Sequence, residues 1–429
     1  MSAITTEFSL LIEDYPKPDS RRAAKPGRPD FRSLPTDALQ PNLLVRWAFY
    51  VSVFCIPFTQ LYLPGTGNRI GVIRMVQALI LGAVLSQPRI CVRLIPVALF
   101  WFLAYCGVRL FAGFWFTPEL SNFWLPSTLH WLQFSLPWVW VMFNVLQFPG
   151  MGRHGLLALI GGCSLCALLH VAGIGLVEVA HGVEGRTTVF GENANVVGST
   201  YAIAAIALVG LGMFEGVKLH QRVMLLPLMA VVVAGLAKTG SRTSVLILLM
   251  GIAVLFCQGR AFGSRIKRFA TVVLVGAVLT GVIWQIPTAM ERFEKLDSSR
   301  IQEQEARVRM IPVLWEMFLR SPIHGSGPDG YQFELTRRAM PYLLKEQTMI
   351  TAHNLALKLL VETGIIGFLL FAFGLKAGVV SAWKARLKPC GPLPLALILP
   401  LAIAGVIVSD PSHLLVFWFA MAYALAGRT

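Results

Sequence analysis

The chain has 429 residues, of which 55% are hydrophobic and 14% charged, and a formal net charge of +15. A soluble domain holds roughly 45–50% apolar residues with glycine already counted, whereas here the 38 glycines come on top of the 55% and the mean hydropathy is +0.65. These values exclude disorder, collagen, a coiled coil and a disulfide-stapled secreted domain, and they argue against a soluble enzyme; the chain reads as an all-α polytopic membrane protein.

Residues 1–43 are polar, with Lys17, Arg21, Arg22, Lys25, Arg28 and Arg32 among prolines. No apolar signal-peptide core follows the start, so a flexible cytoplasmic tail without a cleavable leader is expected. Apolar runs follow at 44–64, 70–86, 94–116, 122–147, 155–179, 196–214, 221–238, 243–258, 268–287, 355–379, 393–409 and 412–427. Each is long enough to cross a hydrocarbon core of about 30 Å. They predict about 12 transmembrane helices, nine within 44–287 and three within 355–429.

Charge sets the expected orientation. With the tail inside, the inner loops hold Arg89, Arg93, Arg153, Lys218, Arg222, Arg260, Arg265, Lys267, Arg268, Lys384, Arg386 and Lys388, while the short outer loops hold only Arg69, Arg186, Lys238 and Arg242. That asymmetry predicts both termini in the cytoplasm, and it reads the positive charge as a topology signal with no nucleic-acid partner. Cys163 and Cys166 form a C-x-x-C inside an apolar run with no second pair, so small buried residues are expected there, with no disulfide and no structural zinc.

The connection at 288–354 differs from the other loops. It is long and carries equal numbers of basic and acidic residues, the character of a small folded helical loop on the outer face more than of a linker. Ser299-Arg300-Ile301-Gln302 reads as a capping box, followed by a helix whose apolar face includes Val308, Ile311, Leu314, Trp315 and Phe318, with Pro312 expected to bend or restart it. His324-Gly325-Ser326-Gly327-Pro328-Asp329-Gly330 breaks the helix, and a second amphipathic piece runs from Tyr331 to about Lys345. Helices of this kind either lie on the lipid surface or cover a cavity.

Three polar clusters map to the outer face: Gly185-Arg186-Thr187 through Asn193-Ala194-Asn195, then Lys238-Thr239-Gly240-Ser241-Arg242-Thr243, and finally Thr351-Ala352-His353-Asn354. Arginine binds phosphate oxygens bidentately and stays charged at any working pH, so Arg186 and Arg242 suit an anion such as a lipid-linked diphosphate. The glycines would let backbone approach the ligand, and a helix N-terminus would add partial positive charge. Snorkelling to headgroup phosphates remains the plainer reading of either arginine alone. His353 would either cap its helix or act as a general base near neutral pH. His324, His181 and His413 also lie outward but lack the same company. No H-E-x-x-H, D-x-D, Walker or G-x-S-x-G pattern lies on this face, so no metal or cofactor is expected. Arg74, Arg109, Lys358 and Lys376 lie inside or near the ends of spans and are second-rank candidates.

The order of four pieces resembles the O-antigen ligase and polymerase superfamily of bacterial inner membranes. The pieces are Gly185-Arg186 with Asn193–Asn195; Gly240-Ser241-Arg242-Thr243 opening a span; Gly325-Ser326-Gly327 after the amphipathic helix; and His353-Asn354 followed by Glu362-Thr363-Gly364. An alanine stands between the two asparagines where the family pattern has proline. The resemblance implies a GT-C-like fold and a metal-independent inverting glycosyl transfer from undecaprenyl diphosphate to lipid A–core at the periplasmic face. In it His353 is the base, Arg186 and Arg242 are catalytic and hold the diphosphate, and Lys238, Asn193, Asn195, Asn354 and His324 contribute to substrate binding. An O-antigen polymerase, using the same donor and a second lipid-linked glycan, is the near alternative. A 12-span transporter is the alternative of another class; it lacks an internal repeat or matched broken helices in this sequence. A structural role in the envelope would leave the Arg–Arg–His grouping unexplained.

Overall fold

The computed structural model describes residues 40–62, 71–178, 187–213, 219–258, 310–339, 354–388, 391–407 and 414–427. The polar tail up to residue 39, the span expected at 268–287 and the capping box at 299–302 lie outside the described residues, as do Lys345, His181 and His413. The described helices are α1 (Leu43–Phe54), α2 (Val72–Ser86), α3 (Val97–Phe116), α4 (Ser121–His130), α5 (Leu136–Leu146), α6 (Met151–Ala172), α7 (Ala194–Met213), α8 (Leu219–Thr239), α9 (Arg242–Gln258), α10 (310–320), α11 (Gly330–Ala339), α12 (Leu355–Ala385), α13 (Leu393–Ile407) and α14 (Leu415–Ala426). A π-helical turn, Trp131–Ser135, joins α4 to α5, just ahead of Pro137. A short hairpin pairs β1 (Leu176–Glu178) antiparallel to β2 (Thr187–Val189), with Val177 opposite Thr188.

Every apolar run within the described residues is helical over most of its length, as long runs without internal turn signals should be. Four of these helices, α3, α6, α7 and α12, are long and apolar enough to cross a membrane, and six shorter apolar helices accompany them. The chain is a helical membrane protein.

The run expected to span 155–179 stops earlier. Gly173 and Gly175 take φ of 83° and 70°, a left-handed backbone that ends a helix and that side-chain-bearing residues rarely adopt. The Ile174 N–H donates to the Leu169 carbonyl at 2.9 Å, closing α6, and residues 176–178 become strand β1. Cys163 and Cys166 are both buried on α6, as expected of small apolar residues.

Close approaches at glycines orient the bundle. A Cβ at Gly427 would lie 3.2 Å from Ala385 and 3.1 Å from Pro394, so the C-termini of α12 and α14 meet the N-terminus of α13. A Cβ at Gly210 would lie 2.5 Å from Leu393, which brings the C-terminal end of α7 to the same place. Gly251, in the second half of α9, faces Ile206 and the Ala396 carbonyl. The N-termini of α7, α9 and α12 therefore share the opposite end. Helix α3 runs antiparallel to α12, with Phe102 against Phe371 at 5.2 Å between ring centroids and Arg109 against Glu362. Its C-terminal end joins the three N-termini.

Small residues make this packing possible, since backbones approach closely only where side chains are short. Helix α7, rich in alanine, is buried along most of its length, and every residue of α14 is buried.

Helix α10 corrects one expectation. Its buried face is Met310, Leu314 and Met317, packed on Tyr331, Leu335 and Val361, while Ile311 and Trp315 point outward; Phe318 is half-buried, and Val308 lies outside the described residues. Apolar residues occupy two faces of this helix, so periodicity alone could not choose between them. Pro312 stands in the first turn of the described helix, and the residues before 310, where a bend or restart would show, lie outside the described residues.

Candidate functional site

The shared end carries two polar units. The first is built where β2 turns into α7. Phe190 and Gly191, with φ of 56° and 76°, reverse the chain, and Glu192 ties the turn together. One of its carboxylate oxygens accepts from Thr59 Oγ1, and the other accepts the Asn193 N–H at 3.0 Å. The Thr188 hydroxyl donates to the Glu192 carbonyl. Asn193 is the N-cap of α7: its Oδ1 accepts the Asn195 N–H at 2.9 Å, and its carbonyl accepts the N–H groups of Val196 and Val197. Asn193→Ala is expected to lower stability by about 1 kcal/mol, with Asn193→Asp close to wild type, as read by thermal unfolding of the purified protein.

The turn between α8 and α9 packs against that helix start. Gly240 takes φ of 56° and its N–H donates to the Ala237 carbonyl at 3.0 Å. Ser241 caps α9, its hydroxyl accepting the Ser244 N–H at 3.3 Å. The Ser244 hydroxyl in turn lies 2.8 Å from Ser241 Oγ, 3.4 Å from Ser199 Oγ and 3.4 Å from the Asn195 carbonyl. A Cβ at Gly198 would fall 2.5 Å from Ser244 Oγ, so the turn sits directly on α7. Arg242 is the first residue of α9 and is exposed. The Lys238 ammonium donates to the Val171 carbonyl at 3.0 Å, against the C-terminal end of α6, where a cation is favoured by the helix dipole.

Two of the clusters separated in the sequence are thus one unit: the N-termini of α7 and α9 lie side by side, with Arg242, Lys238, Asn193 and Asn195 around them. Each N-terminus carries partial positive charge equivalent to about half a unit, and that charge with a guanidinium beside it suits an oxyanion.

The second unit is made where α12 breaks. Gly364 has φ 64° and ψ −166°, and a Cβ there would lie 2.2 Å from the Ile323 carbonyl oxygen. In an unbroken helix the N–H groups of Ile365 and Ile366 would bond the carbonyls of Val361 and Glu362. Instead the loop 322–327 inserts between them. Ile365 donates to the Pro322 carbonyl at 2.9 Å and Ile366 to that of Ile323 at 3.4 Å, while Ser326 and Gly327 donate to Val361 and Glu362 at 2.8 and 3.1 Å. The two pairs lost at the break are all satisfied by the loop, which explains why Gly325-Ser326-Gly327 and Glu362-Thr363-Gly364 occur together. Asn354 caps α12, with its Oδ1 accepting the Leu357 N–H at 3.0 Å.

Beneath that break lies a buried ion network. Glu362 is fully buried and Arg109 is 6% exposed. Arg109 Nη1 contacts Glu362 Oε2, Nη2 stands 3.9 Å from Asp329 Oδ1, and Nε donates to Thr128 Oγ1 at 3.0 Å. The other Glu362 oxygen accepts the Asp329 N–H at 3.3 Å. Helix α3, the loop and the broken α12 are therefore cross-linked through one guanidinium. From sequence Arg109 is a second-rank candidate, and Glu362 and Asp329 carry no assigned role. The available signal was a lone acid in one apolar run and a lone base in another, a combination that asks for pairing.

Further out, Glu316 accepts from Arg320 at 2.6 Å and from Arg338 at 3.1 Å, and Glu334 accepts from Arg337 and Arg338. Hydrogen bonds from Arg320 and Arg338 hold the Glu316 carboxyl below the usual range, and those from Arg337 and Arg338 do the same for Glu334. A half-open cavity of about 530 Å³ lies alongside, lined by Thr117, Glu119, Leu120, Met317, Arg320, Ser321, Ser326, Gly330, Phe333 and Glu334.

Among the expected site residues, Arg242, Lys238, Asn193 and Asn195 are brought together in the first unit. Asn354 and His324 belong to the second, where His324 stacks on Phe116 at 4.5 Å and its Nδ1 lies 2.7 Å from the Gly325 carbonyl. His353 and Arg186 lie outside the described residues. Among the described residues no three His, Cys, Asp or Glu side chains converge as metal ligands.

Residues 227–372 match the family model described as O-antigen ligase. The matched stretch contains Lys238, Arg242, His324, His353, Asn354 and Glu362, and leaves Arg186, Asn193 and Asn195 on its N-terminal side. No curated protein matches the chain.

Proposed function

We propose that the chain is an O-antigen ligase, a reading supported by the match of residues 227–372 to the O-antigen ligase family model. It transfers a glycan from undecaprenyl diphosphate to a sugar of lipid A–core at the periplasmic face of a bacterial inner membrane, with both termini cytoplasmic. The observation that carries this reading is the first polar unit: two helix N-termini, Arg242 and Lys238 gathered at one end of an apolar bundle, a setting for an anionic headgroup on a lipid carrier.

His353, next in sequence to the α12 cap, deprotonates the acceptor hydroxyl, whose oxygen attacks the anomeric carbon from the face opposite the diphosphate. The bond from that carbon to the diphosphate oxygen breaks as the new glycosidic bond forms, and the configuration inverts. Arg186 and Arg242 hold the leaving diphosphate and stabilise the charge that develops on it, the preorganised electrostatic role that a metal plays in other glycosyl transfers. Asn193, Asn195 and Lys238 line the same anion site, and Asn354 and His324 stand toward the acceptor. No nucleotide is consumed, because the donor already carries an activated diphosphate.

The test is a lipopolysaccharide gel from a deletion strain of the source bacterium, with an assay for lipid-linked glycan, complemented by wild type, Arg242→Ala and His353→Ala. The ligase reading expects bare lipid A–core, long chains accumulating on undecaprenyl diphosphate, and no rescue by either variant at normal membrane levels. Core carrying a single repeat unit would make the protein the polymerase. An unchanged ladder would overturn both readings, and near wild-type ligation by a stable variant would remove that residue from its role.

A further inference from the structure

Helix α10 presents three distinct faces. At about 100° per residue, Met310, Leu314 and Met317 form one arc, packed on α11 and α12. Glu316 and Arg320 form a second, in which Glu316 is ion-paired with Arg320 and with Arg338 of α11. The third arc is Ile311, Trp315 and Leu319, at successive i+4 positions, and Ile323 continues it beyond the helix end. These four are 53%, 48%, 58% and 61% exposed. An apolar stripe of this kind, fixed by packing on one side and flanked by charge on another, belongs to a helix at a lipid boundary rather than in bulk water.

The position of the helix agrees. His324, one residue past the stripe, stacks on Phe116 at the end of α3, a helix able to cross a membrane. The last two turns of α3 expose Phe111, Phe114 and Trp115, and Phe123 at the start of α4 is exposed beside them. Exposed tryptophan at the end of a spanning helix, here Trp115 with apolar Phe111, Phe114 and Phe123 beside it, marks the membrane–water interface, so α10 is tethered near that level. Its side opposite the stripe faces a half-open cavity of about 530 Å³, which Met317, Arg320 and Ser321 line with Glu119, Phe333 and Glu334.

We propose that α10 is an interfacial helix seated in the bilayer surface, with Ile311, Trp315, Leu319 and Ile323 among the lipid acyl chains and its Glu316–Arg320 flank in water. It forms the wall between the lipid and that cavity, so that a lipid-anchored molecule would pass its stripe on the way in. The partner is the bilayer itself, and the inference does not depend on the ligase reading.

The test uses the full-length chain with its seven cysteines replaced, in nanodiscs of phosphatidylcholine and phosphatidylglycerol. Nitroxides are attached singly through Ile311→Cys, Trp315→Cys, Glu316→Cys and Leu319→Cys. Collision with oxygen, which concentrates in acyl chains, is compared with collision with a water-soluble nickel chelate. Labels at 311, 315 and 319 are expected to favour oxygen, and the label at 316 to favour nickel. Nickel preference at the three apolar sites would overturn the proposal, and so would protection from both reagents, which would mean that protein covers the stripe. In the chain with native cysteines, Trp315→Phe is expected to reduce the share of tryptophan emission quenched by bromine-labelled phosphatidylcholine. An unchanged share would count equally against the proposal.

Discussion

Glu362→Leu is expected to lower stability by about 3–5 kcal/mol, because it leaves a buried guanidinium without its principal counter-ion. Arg109 is 6% exposed, and the nearest carboxylate remaining to it would be Asp329 at 3.9 Å. The Asp329 N–H would also lose its acceptor on Glu362. Replacing both charges, as Arg109→Met with Glu362→Leu, is expected to recover much of the loss, since an apolar pair avoids desolvating ions. Asp329 tolerates this because its carboxylate is 18% exposed and reaches water. Denaturant unfolding of the two single variants and the double variant in one detergent measures the coupling directly. A Glu362→Leu protein within about 1 kcal/mol of wild type would refute the clamp.

Gly364→Ala is expected to expel the loop 322–327 from α12. The backbone at this position, φ 64° and ψ −166°, lies in a region open essentially to glycine alone, and a side chain there costs on the order of 1–3 kcal/mol in strain. The added methyl would also meet the Ile323 carbonyl oxygen at 2.2 Å and the His324 nitrogen at 2.6 Å. Both are backbone atoms, so no rotamer change relieves the contact. Alanine is meanwhile the best helix former, and a straightened α12 would regain the two internal bonds that the loop now replaces. Hydrogen exchange resolved by peptide should show residues 321–330 losing protection while α12 keeps its own. Unchanged protection of the loop would count against this account.

The positions of the helices were largely legible. The run at 196–214 appears as Ala194–Met213 and that at 243–258 as Arg242–Gln258, because about 20 apolar residues have few alternatives to a helix once water is absent. The turn at Gly240-Ser241 was legible for a local reason: a left-handed glycine and a capping serine act within a few residues. The same local chemistry at Gly173 and Gly175 is masked in the sequence by the apolar residues around it, and there the helix ends before the expected span does.

Composition and length of apolar runs therefore determined the class of this protein, a helical membrane protein, residues 227–372 of which match the O-antigen ligase family model. They also point to the ends of helices as the place where most polar residues lie, because polar groups are rare where helices cross the hydrocarbon. What the tertiary structure alone decided are the contacts between those ends. Arg109 and Glu362 are 253 residues apart, and nothing local to either identifies the other. The break in α12 is filled by a loop from elsewhere in the chain, so the helix period around Gly364 could not show what satisfies it. On α10 two apolar faces were available, and only the packing of Tyr331, Leu335 and Val361 against Met310, Leu314 and Met317 chose which one is buried. Hydrophobic burial is non-directional, so a sequence can specify that a face is apolar without specifying whether protein or lipid covers it.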